Sequence, residues 1–380
     1  MTMHIVVLGA GRVGHLIALD LAQDPGFAVT AVDAAADSLD RFPPAARVSS
    51  LIADLSDPGA IRGVVGDADL VVGALPGFLG YQAIQTVIAA GRNMVDISFC
   101  PEDPLSLDGL ARARGVTVAV DCGVAPGCSN MFAGRSAALF DEVVRFTCLV
   151  GGLPVVRTWP WEYRAGFSPV DVLEEYTRPA RFRLDGKAVS RPALTDPELI
   201  EFDGIGTLEA FNTDGLRTLL ATQSIPTMVE KTLRYPGHID RIKLLRDTGF
   251  LDAQTIALPG GAVSPLEMTS ALLFPAWHLG PGVEDLTVMR IEIEGRRQGQ
   301  PCTRRWDLLD RYDRATGATS MARTTGYTCA AVARALAAGL ISGHGVLPPE
   351  FFGRDERCFA YVMSELARRG VVFVERVDPD

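Results

Sequence analysis

The sequence predicts an α/β protein: an N-terminal doubly wound parallel sheet with an inserted α+β domain. Through about residue 125, short runs of Val, Ile and Leu alternate with helix-like stretches, which is typical of a parallel sheet covered by helices on both faces. From about Glu142 the alternation stops, and proline, tryptophan and charged residues become common. Small apolar residues over 327–339 then predict a helix that packs back on the first domain. The expected divisions are 1–125, 126–325 and 326–380.

The first predicted strand, residues 5–8, runs directly into the pattern G-x-G-x-x-G, whose glycines are Gly9, Gly11 and Gly14. In this pattern the first glycine permits a tight turn, the second lets the backbone approach a pyrophosphate, and the third lets the next helix pack closely. The helix predicted over 12–22 directs its N-terminal N–H groups and the positive end of its dipole toward the phosphates. The combination predicts a Rossmann-type dinucleotide-binding domain, with a turn that binds no ligand as the alternative.

An acid at the end of the second predicted strand favours NAD as the dinucleotide. The strand covers 27–33, and its last residue, Asp33, lies 19 residues beyond Gly14, close to the ~20 that is usual for a ribose-binding acid. Its carboxylate can accept hydrogen bonds from both hydroxyls of the adenosine ribose, and its charge repels the 2′-phosphate of NADP. The alternative is that Asp33 only terminates the strand.

Further strands and helices alternate up to residue 121. The predicted strands are 47–54, 69–75, 93–98 and 116–121, and the predicted helices are 58–65, 81–90 and 105–114. Ligands of such sheets bind beyond the carboxyl ends of the strands, which places Asp54 beside the adenine and residues 74–76 beside the nicotinamide ribose. A helix cap and a plain turn are the respective alternatives. The residues predicted to bind the cofactor are Gly9, Gly11, Arg12, Val13, Gly14, Asp33, Asp54, Leu55, Ala74, Leu75 and Pro76.

The inserted region lacks the regular alternation of the first domain. Its candidate strands are 142–151, 181–184, 228–235 and 287–294, and a β-hairpin is expected over 286–312. We expect this α+β domain to carry the substrate specificity.

The composition is that of an ordinary soluble protein and argues against several classes of partner. The 380 residues suit two domains, and 48% of them are hydrophobic while 22% are charged. The net charge of −10 argues against nucleic acids and anionic membranes, which need a basic face. The seven cysteines form no C-x-x-C pair, so neither a metal site nor a disulfide framework is expected. The sequence shows no signal-peptide pattern and no run of about 18 apolar residues, so we expect a cytoplasmic protein.

Four strings beyond the glycine pattern carry a resemblance to a known family. They are DCGVAPGCSN at 121–130, VGGLP at 150–154, LEAFNTDGLR at 208–217 and EKTLRYPGH at 230–238. With them the chain resembles the saccharopine dehydrogenase superfamily over about residues 4–375, and within it the L-lysine 6-dehydrogenases most. The resemblance implies a nucleotide-binding domain, an inserted catalytic domain with a cleft between the two, a small amino-acid substrate, and a homodimer or larger homo-oligomer.

The resemblance directs the search for catalytic groups to the strand ends nearest the nicotinamide. Oxidation of an amine requires a neutral nitrogen, so a base must accept a proton from the ammonium group. Asp121, at the end of the sixth predicted strand, is the first candidate, and Asp96, after the fifth, is the second; capping or solvated strand ends are the alternative. His238, in the last of the four strings, is a third candidate because histidine titrates near neutral pH.

Two arginines are candidates for holding the α-carboxylate of the substrate. A guanidinium matches a carboxylate in two parallel hydrogen bonds, and Arg234 and Arg217 lie in the strings that carry the resemblance. Ser98, after the fifth strand, and Asn130, at a strand-to-helix turn, are expected to line the substrate site. The alternative is a solvated surface position for the arginines, a capping or solvated strand end for Ser98, and a turn that only reverses the chain for Asn130.

The functional prediction is NAD-dependent oxidative deamination of a small amino acid. The resemblance favours L-lysine, oxidised at its ε-carbon to a semialdehyde that can cyclise. The alternative is a saccharopine-type dehydrogenase or reductase acting on a carboxyalkyl amine, whose additional carboxylates call for further arginines such as Arg157, Arg164 and Arg178. A non-catalytic NAD-binding protein is a further alternative.

Overall fold

The first of two large sheets is parallel and follows the predicted alternation. The computed structural model describes residues 2–377, and within them this sheet has seven strands. Six come from the N-terminal third: β1 Met3–Leu8, β2 Phe27–Asp33, β3 Val48–Ile52, β4 Leu70–Gly73, β5 Asn93–Asp96 and β6 Thr117–Ala119. The seventh, Gly345–Leu347, pairs with β6. From that strand the spatial order is β6, β5, β4, β1, β2 and β3, which is the order of a doubly wound sheet.

Helices cover both faces of this sheet. In chain order they are α1 Arg12–Leu21, α2 Ala36–Leu39, α3 Pro58–Val65, α4 Gly77–Ala89, α5 Asp108–Arg114 and α6 Cys128–Leu139, with a 3₁₀ turn at Pro104–Leu107 before α5. Successive β1 side chains point to opposite faces: Ile5 and Val7 pack in the apolar cluster on the α1 side, and Val6 and Leu8 in the cluster with α3 and α4. All four are fully buried, so the predicted doubly wound α/β domain is confirmed.

The second sheet is mixed and has nine strands in the described part of the chain. Its first strands are β7 Glu142–Pro154, β8 Ala180–Leu184, β9 Lys187–Arg191, β10 Glu198–Phe202, β11 Gly206–Asn212 and β12 Thr227–Arg234. A separate ribbon follows, made of β13 Ile256–Leu258 and β14 Gly261–Val263. The second sheet continues with β15 Asp285–Arg297, β16 Gln300–Arg311 and β18 Phe373–Val377. The strand Gly345–Leu347, which belongs to the first sheet, is β17. Strands β15 and β16 form the predicted hairpin around a two-residue turn, Gln298 and Gly299, whose positive φ values fit a tight hairpin turn.

The C-terminal part of the chain connects the two sheets. The helices after α6 are α7 Pro169–Thr177, α8 Leu219–Thr222, α9 His238–Asp247, α10 Pro265–Trp277, α11 Ser320–Ala337, α12 Pro349–Gly353 and α13 Glu356–Arg368. Helix α11 begins earlier than predicted because Thr319 caps it, and it lies against α1 with Arg334 bonded to Asp20 at 2.6 Å. Strand β17 then joins the first sheet and β18 the second. This segment therefore packs on both domains, and α11 crosses the division predicted at residue 325.

Within residues 2–377, no helix is both long and apolar enough to cross a membrane. In the same range, no group of His, Cys, Asp and Glu side chains is arranged to hold a metal ion. All seven cysteines are free thiols.

A buried ion pair joins the two domains below the cleft between them. Arg217, in the loop before α8, lies 3.1 Å from Asp121, which follows β6, and both side chains are almost fully buried. The Arg217 guanidinium also donates to the carbonyl oxygen of Cys100 and lies over the ring of Phe99. Both members of the pair have positive φ, 54° for Asp121 and 49° for Arg217. Such a conformation costs roughly 1–3 kcal/mol for a residue other than glycine, so the surrounding contacts must hold both positions.

We predict that Arg217→Ala lowers the free energy of unfolding by about 3–5 kcal/mol, because it leaves the Asp121 carboxylate buried without a partner. Chemical denaturation measures this loss. The matched control is Arg112→Ala, which removes a surface pair with Asp108 whose arginine is 61% exposed and should cost less than about 1 kcal/mol. An Arg217→Ala protein as stable as the control would contradict a joining role for the buried pair.

Candidate active site

A cavity of about 580 Å³ lies in the cleft, beyond the carboxyl ends of the strands of the first sheet. The first domain lines it with the turn after β1 and with the chain after β2, β3 and β4. The second domain lines it with β7, α7 and the end of β12, and α11 closes one side. The cavity is lined by all eleven residues predicted to bind the cofactor: Gly9, Gly11, Arg12, Val13, Gly14, Asp33, Asp54, Leu55, Ala74, Leu75 and Pro76.

In the glycine turn, the backbone of α1 at Gly14 packs on the backbone of Gly9, and the space beside Gly11 is open. Gly9 has a φ of 94°, and a Cβ on Gly14 would lie 2.0 Å from the Gly9 carbonyl oxygen, so α1 approaches β1 only because Gly14 has no side chain. At Gly11 an added Cβ would meet nothing within 4 Å. Within the described residues, no side chain caps the N-terminus of α1. Its free N–H groups and positive dipole end are therefore available to an anion such as a diphosphate.

Asp33 is oriented by the backbone on either side of it. Its two carboxylate oxygens accept hydrogen bonds from the N–H groups of Ala10, at 2.7 Å, and Ala35, at 2.9 Å. The side chain stays partly exposed at the cavity, where its remaining lone pairs can accept from ribose hydroxyls. Arg41 lies close by and donates to the Ala10 carbonyl oxygen at 2.7 Å. This end of the cavity thus holds an acid, Asp33, that repels the 2′-phosphate of NADP, and a cation, Arg41, that can pair with it.

Asp54 lies at the end of the next strand along the sheet edge. It accepts hydrogen bonds from the hydroxyl and the N–H of Ser56, at 2.7 and 2.9 Å, and these two bonds lower the pKa of its carboxyl. The N-terminus of α3 is capped by Asp57 instead. Asp54 therefore does not act as the cap of that helix, and its carboxylate borders the cavity.

The two strand-end acids predicted as bases, Asp96 and Asp121, do not line the cavity. Asp96 is buried and accepts hydrogen bonds from the N–H and hydroxyl of Ser98, at 2.7 and 3.1 Å. Burial raises the pKa of Asp96 to about 7. Asp121 is held by Arg217 in the ion pair below the cleft. Neither acid borders the cavity, and Ser98 is hydrogen-bonded to Asp96.

His238 is also remote from the cavity lining. Its Nδ1 lies 2.9 Å from the carbonyl oxygen of Trp161 and its Nε2 lies 3.0 Å from the hydroxyl of Tyr176. Because a carbonyl only accepts, Nδ1 carries the proton and Nε2 accepts from the tyrosine. Burial, followed by the nearby charge of Arg234, lowers the pKa of His238 to about 3. Both ring nitrogens of His238 thus have partners inside the protein, and its role as a base stays a prediction.

Two predicted substrate-binding residues are likewise engaged inside the protein. The guanidinium of Arg217 is taken up by the ion pair and by the carbonyl of Cys100. The amide of Asn130 is fully buried and donates to Thr218 at 3.3 Å and to Glu350 at 3.1 Å. Neither lines the cavity, and both connect parts of the chain that are far apart in sequence.

Arg234 does line the cavity, as predicted for a substrate-binding arginine. Its Nη2 lies 3.0 Å from Oε2 of Glu175, and its Nε donates to the hydroxyl of Tyr176 at 2.8 Å. The guanidinium also lies 4.6 Å from the centre of the Tyr163 ring. These contacts fix the orientation of the Arg234 guanidinium beside the carboxylate of Glu175, which also lines the cavity.

Helix α7 and its N-cap, which were not predicted from the sequence, supply three lining residues: Ser168, Asp171 and Glu175. The signal for this helix was present. Ser168 precedes Pro169 and caps the helix by accepting from the N–H of Asp171 at 3.4 Å, and a Ser-Pro start with an acid three residues later is typical of a helix N-terminus. Asp171 and Glu175 are four residues apart, so a helix places both on one face.

Asp171 connects α7 to the first domain. Its carboxylate accepts a hydrogen bond from the N–H of Gly77, at the start of α4, at 3.3 Å. Burial is the main cause that raises its pKa to about 6. This half of the cavity thus combines two carboxylates, Asp171 and Glu175, with the guanidinium of Arg234. Such a set can hold an ammonium group, accept its proton and attract a carboxylate.

Comparison with known proteins covers both domains. A family model described as the saccharopine dehydrogenase NADP binding domain matches residues 5–119, and one described as the saccharopine dehydrogenase C-terminal domain matches residues 123–371. Saccharopine dehydrogenase (NADP+, L-glutamate-forming) of Schizosaccharomyces pombe is 23% identical over 98% of each chain. The enzyme of that name from Pyricularia oryzae is 27% identical over 66% of this chain and 58% of its own length. Bovine mitochondrial alpha-aminoadipic semialdehyde synthase is 22% identical over 97% of this chain and 47% of its own.

The chain spans 58% of the Pyricularia oryzae enzyme and 47% of the bovine synthase, about half the length of each. It spans nearly all of the Schizosaccharomyces pombe enzyme. Among solved structures, apo saccharopine dehydrogenase (L-Glu forming) from Saccharomyces cerevisiae has a TM-score of 0.81 at 19% identity, covering 99% of this chain and 100% of its own. Homospermidine synthase from Legionella pneumophila, solved with NAD, has a TM-score of 0.65 at 13% identity, covering 100% and 92%. Both share this fold. Because the two family models together match nearly all of its residues, the chain belongs to the saccharopine dehydrogenase family.

Proposed function

We propose that this chain is a pyridine-nucleotide-dependent oxidoreductase of the saccharopine type, acting on the C–N bond of a secondary amine built from amino acids. The observation that carries the proposal is the single cavity that joins the glycine turn and Asp33 to the charged residues of α7 and β12. The names of two relatives, saccharopine dehydrogenase (NADP+, L-glutamate-forming), support a saccharopine-type substrate.

The nucleotide half of the cavity fits a pyridine dinucleotide. The open position at Gly11 and the N-terminus of α1 would hold the diphosphate, Asp33 would bind the adenosine ribose, and residues 74–76 border the space for the nicotinamide end. When bound, the cofactor supplies the hydride acceptor or donor. The protein supplies position and charge.

We assign the acceptance of the amine proton to Glu175 in place of the strand-end acids. Its carboxylate lines the cavity and is paired with the guanidinium of Arg234 at 3.0 Å. The same guanidinium offers positive charge to a carboxylate of the substrate. Asp171, one helical turn earlier on the same face, can hold an ammonium group in place before its proton is lost.

L-Lysine, oxidised at its ε-carbon, is a second candidate, favoured by the small number of cations at the cavity. Among the described residues, the cations that line it are Arg12 and Arg234. The arginines that a substrate with three carboxylates calls for are engaged elsewhere: Arg157 with Glu162, Arg164 with the carbonyl of Ala276 and Arg178 with Glu174. A substrate with one carboxylate needs fewer of them. A cytoplasmic location and a homo-oligomer remain predictions.

Purified protein should form reduced cofactor from saccharopine, followed by absorbance, and turn over L-lysine less well. Glu175→Gln, which keeps the shape and removes the charge, should lower kcat by about 10²-fold or more, the usual contribution of a general base. Glu174→Gln, on the same helix but outside the cavity lining, should change it less than about twofold. Lysine turnover above saccharopine turnover would favour the second candidate. Cofactor binding without turnover of any amine would contradict both.

Asp33 should set the preference for NAD over NADP. We expect Asp33→Asn to lower the ratio of NAD to NADP affinity at least about tenfold, equivalent to roughly 1.4 kcal/mol, because a repulsion of the 2′-phosphate is removed. Calorimetric titration of both cofactors into each protein measures the ratio. Asp37→Asn, an exposed acid on α2, is the control and should leave the ratio unchanged. A wild-type protein that prefers NADP would show that Arg41 outweighs Asp33.

A further inference from the structure

Two of the strings that carry the family resemblance meet behind the cavity wall and supply three polar groups that continue in a row from Glu175 of α7. The row begins at Glu175, whose Oε1 accepts from the hydroxyl of Thr232 at 2.6 Å. The Thr232 hydroxyl lies 2.8 Å from the hydroxyl of Thr213, which lies 2.9 Å from Oε2 of Glu230. Thr232, Thr213 and Glu230 are all buried. Only the Glu175 end borders the cavity.

The number of hydrogens in this row shows that one of its end carboxyls is protonated. Three hydrogen-bond contacts need three hydrogens, whereas two threonine hydroxyls supply two. The third must come from a carboxyl group. Glu175 is paired with Arg234, whereas Glu230 forms no ion pair with a cation of residues 2–377 and accepts its side-chain contact from a threonine. The proton therefore belongs on Glu230.

The surroundings of Glu230 favour the same state. The titratable and charged groups that face it are Glu175, Asp214 with its ion-pair partner Arg181, and the thiol of Cys148 on β7. Burial, then the charge of Glu175, raises the pKa of Glu230 to about 8, against the opposing hydrogen bond from Thr213.

Gly215 packs directly against the Glu230 carboxyl. A Cβ on Gly215 would lie 2.2 Å from Oε2 of Glu230, so the backbone packs directly on this carboxyl. The group is thereby confined to the position in which it meets Thr213.

We propose that Thr232 and Thr213 form a proton relay that connects the cavity carboxylate of Glu175 with the buried carboxyl of Glu230. The use of the relay rests on the proposed function, since an amine in the cavity must exchange a proton. During oxidation, the substrate N–H bond breaks and an O–H bond forms on Glu175. The proton on Glu175 then passes to the hydroxyl of Thr232, whose own proton passes to Thr213. The hydroxyl proton of Thr213 passes to Glu230, so that an O–H bond forms on the ionised carboxylate. During reduction every shift runs in reverse, and no electrons move along the row.

The pH dependence follows from the state of Glu230. Below its pKa of about 8 it holds a proton and can supply the reductive direction, and above that pKa it is ionised and can receive the proton of oxidation. The rate of amine oxidation should therefore rise with pH through about 8, and the rate of reduction should fall.

The first test needs neither cofactor nor substrate. Infrared titration of the wild-type protein should show the carbonyl stretch of a protonated carboxyl that disappears near pH 8, and Glu230→Gln should remove this band. Thr213→Val should raise its midpoint, because the hydroxyl that stabilises the ionised form is lost, while Thr213→Ser should keep the wild-type midpoint. A spectrum that Glu230→Gln leaves unchanged would overturn the proposal.

The second test is the pH profile of kcat for amine oxidation. In Thr213→Val and Glu230→Gln, the rise of kcat near pH 8 should be lost and turnover should be roughly tenfold slower or more. Thr213→Ser should keep both the rise and the wild-type rate. Thr207→Val, at an exposed position on β11, controls for the substitution itself. A wild-type profile in Thr213→Val would overturn the relay. Failure of every amine to react would reject the proposed function instead, and the infrared result would still decide the state of Glu230.

Discussion

The buried ion pair between Asp121 and Arg217 is the constraint on which the cleft depends. It joins the end of a strand of the first sheet to a loop of the second domain, and both residues hold a left-handed backbone conformation to make it. Removing two charges from water is costly, so such a pair is stable only with further contacts, which Cys100 and Phe99 supply. With the two walls fixed in this way, residues of α7 and β12 face the glycine turn across one cavity.

Three buried or partly buried ion pairs involve arginines of the second domain. Arg234 is paired with Glu175, Arg181 with Asp214 and Arg217 with Asp121. Glu230 lies among these pairs with a threonine in place of a cation. A buried acid without a counter-charge is held in its neutral form by desolvation, and that is the property a proton store needs. The polar strings of the sequence thus place buried polar groups behind Arg234, one of the two arginines that line the cavity among the described residues.

The nucleotide half could be predicted from sequence because its geometry is local. A strand, a glycine turn and a helix fix Gly9, Gly11 and Gly14 within a few residues, and the spacing to Asp33 follows from one further helix and strand. The substrate half could not be predicted in this way. Asp121 ends a strand beside the cleft, as expected, but nothing near it in sequence reveals that Arg217, from another domain, occupies its carboxylate. For His238, the Tyr176 and Trp161 groups that hold its ring are equally remote. Helix α7 was within reach of sequence analysis, through its Ser168-Pro169 start and the spacing of Asp171 and Glu175.

We expect a pyridine dinucleotide to extend from the glycine turn toward the acids of α7, and a crystal structure of the protein with NAD would reveal its position. The diphosphate should lie over Gly11 and the N-terminus of α1, the adenosine ribose on Asp33, and the nicotinamide ring in the same cavity as Glu175. A dinucleotide bound elsewhere, or bound at the turn with its nicotinamide directed out of the cleft, would contradict it.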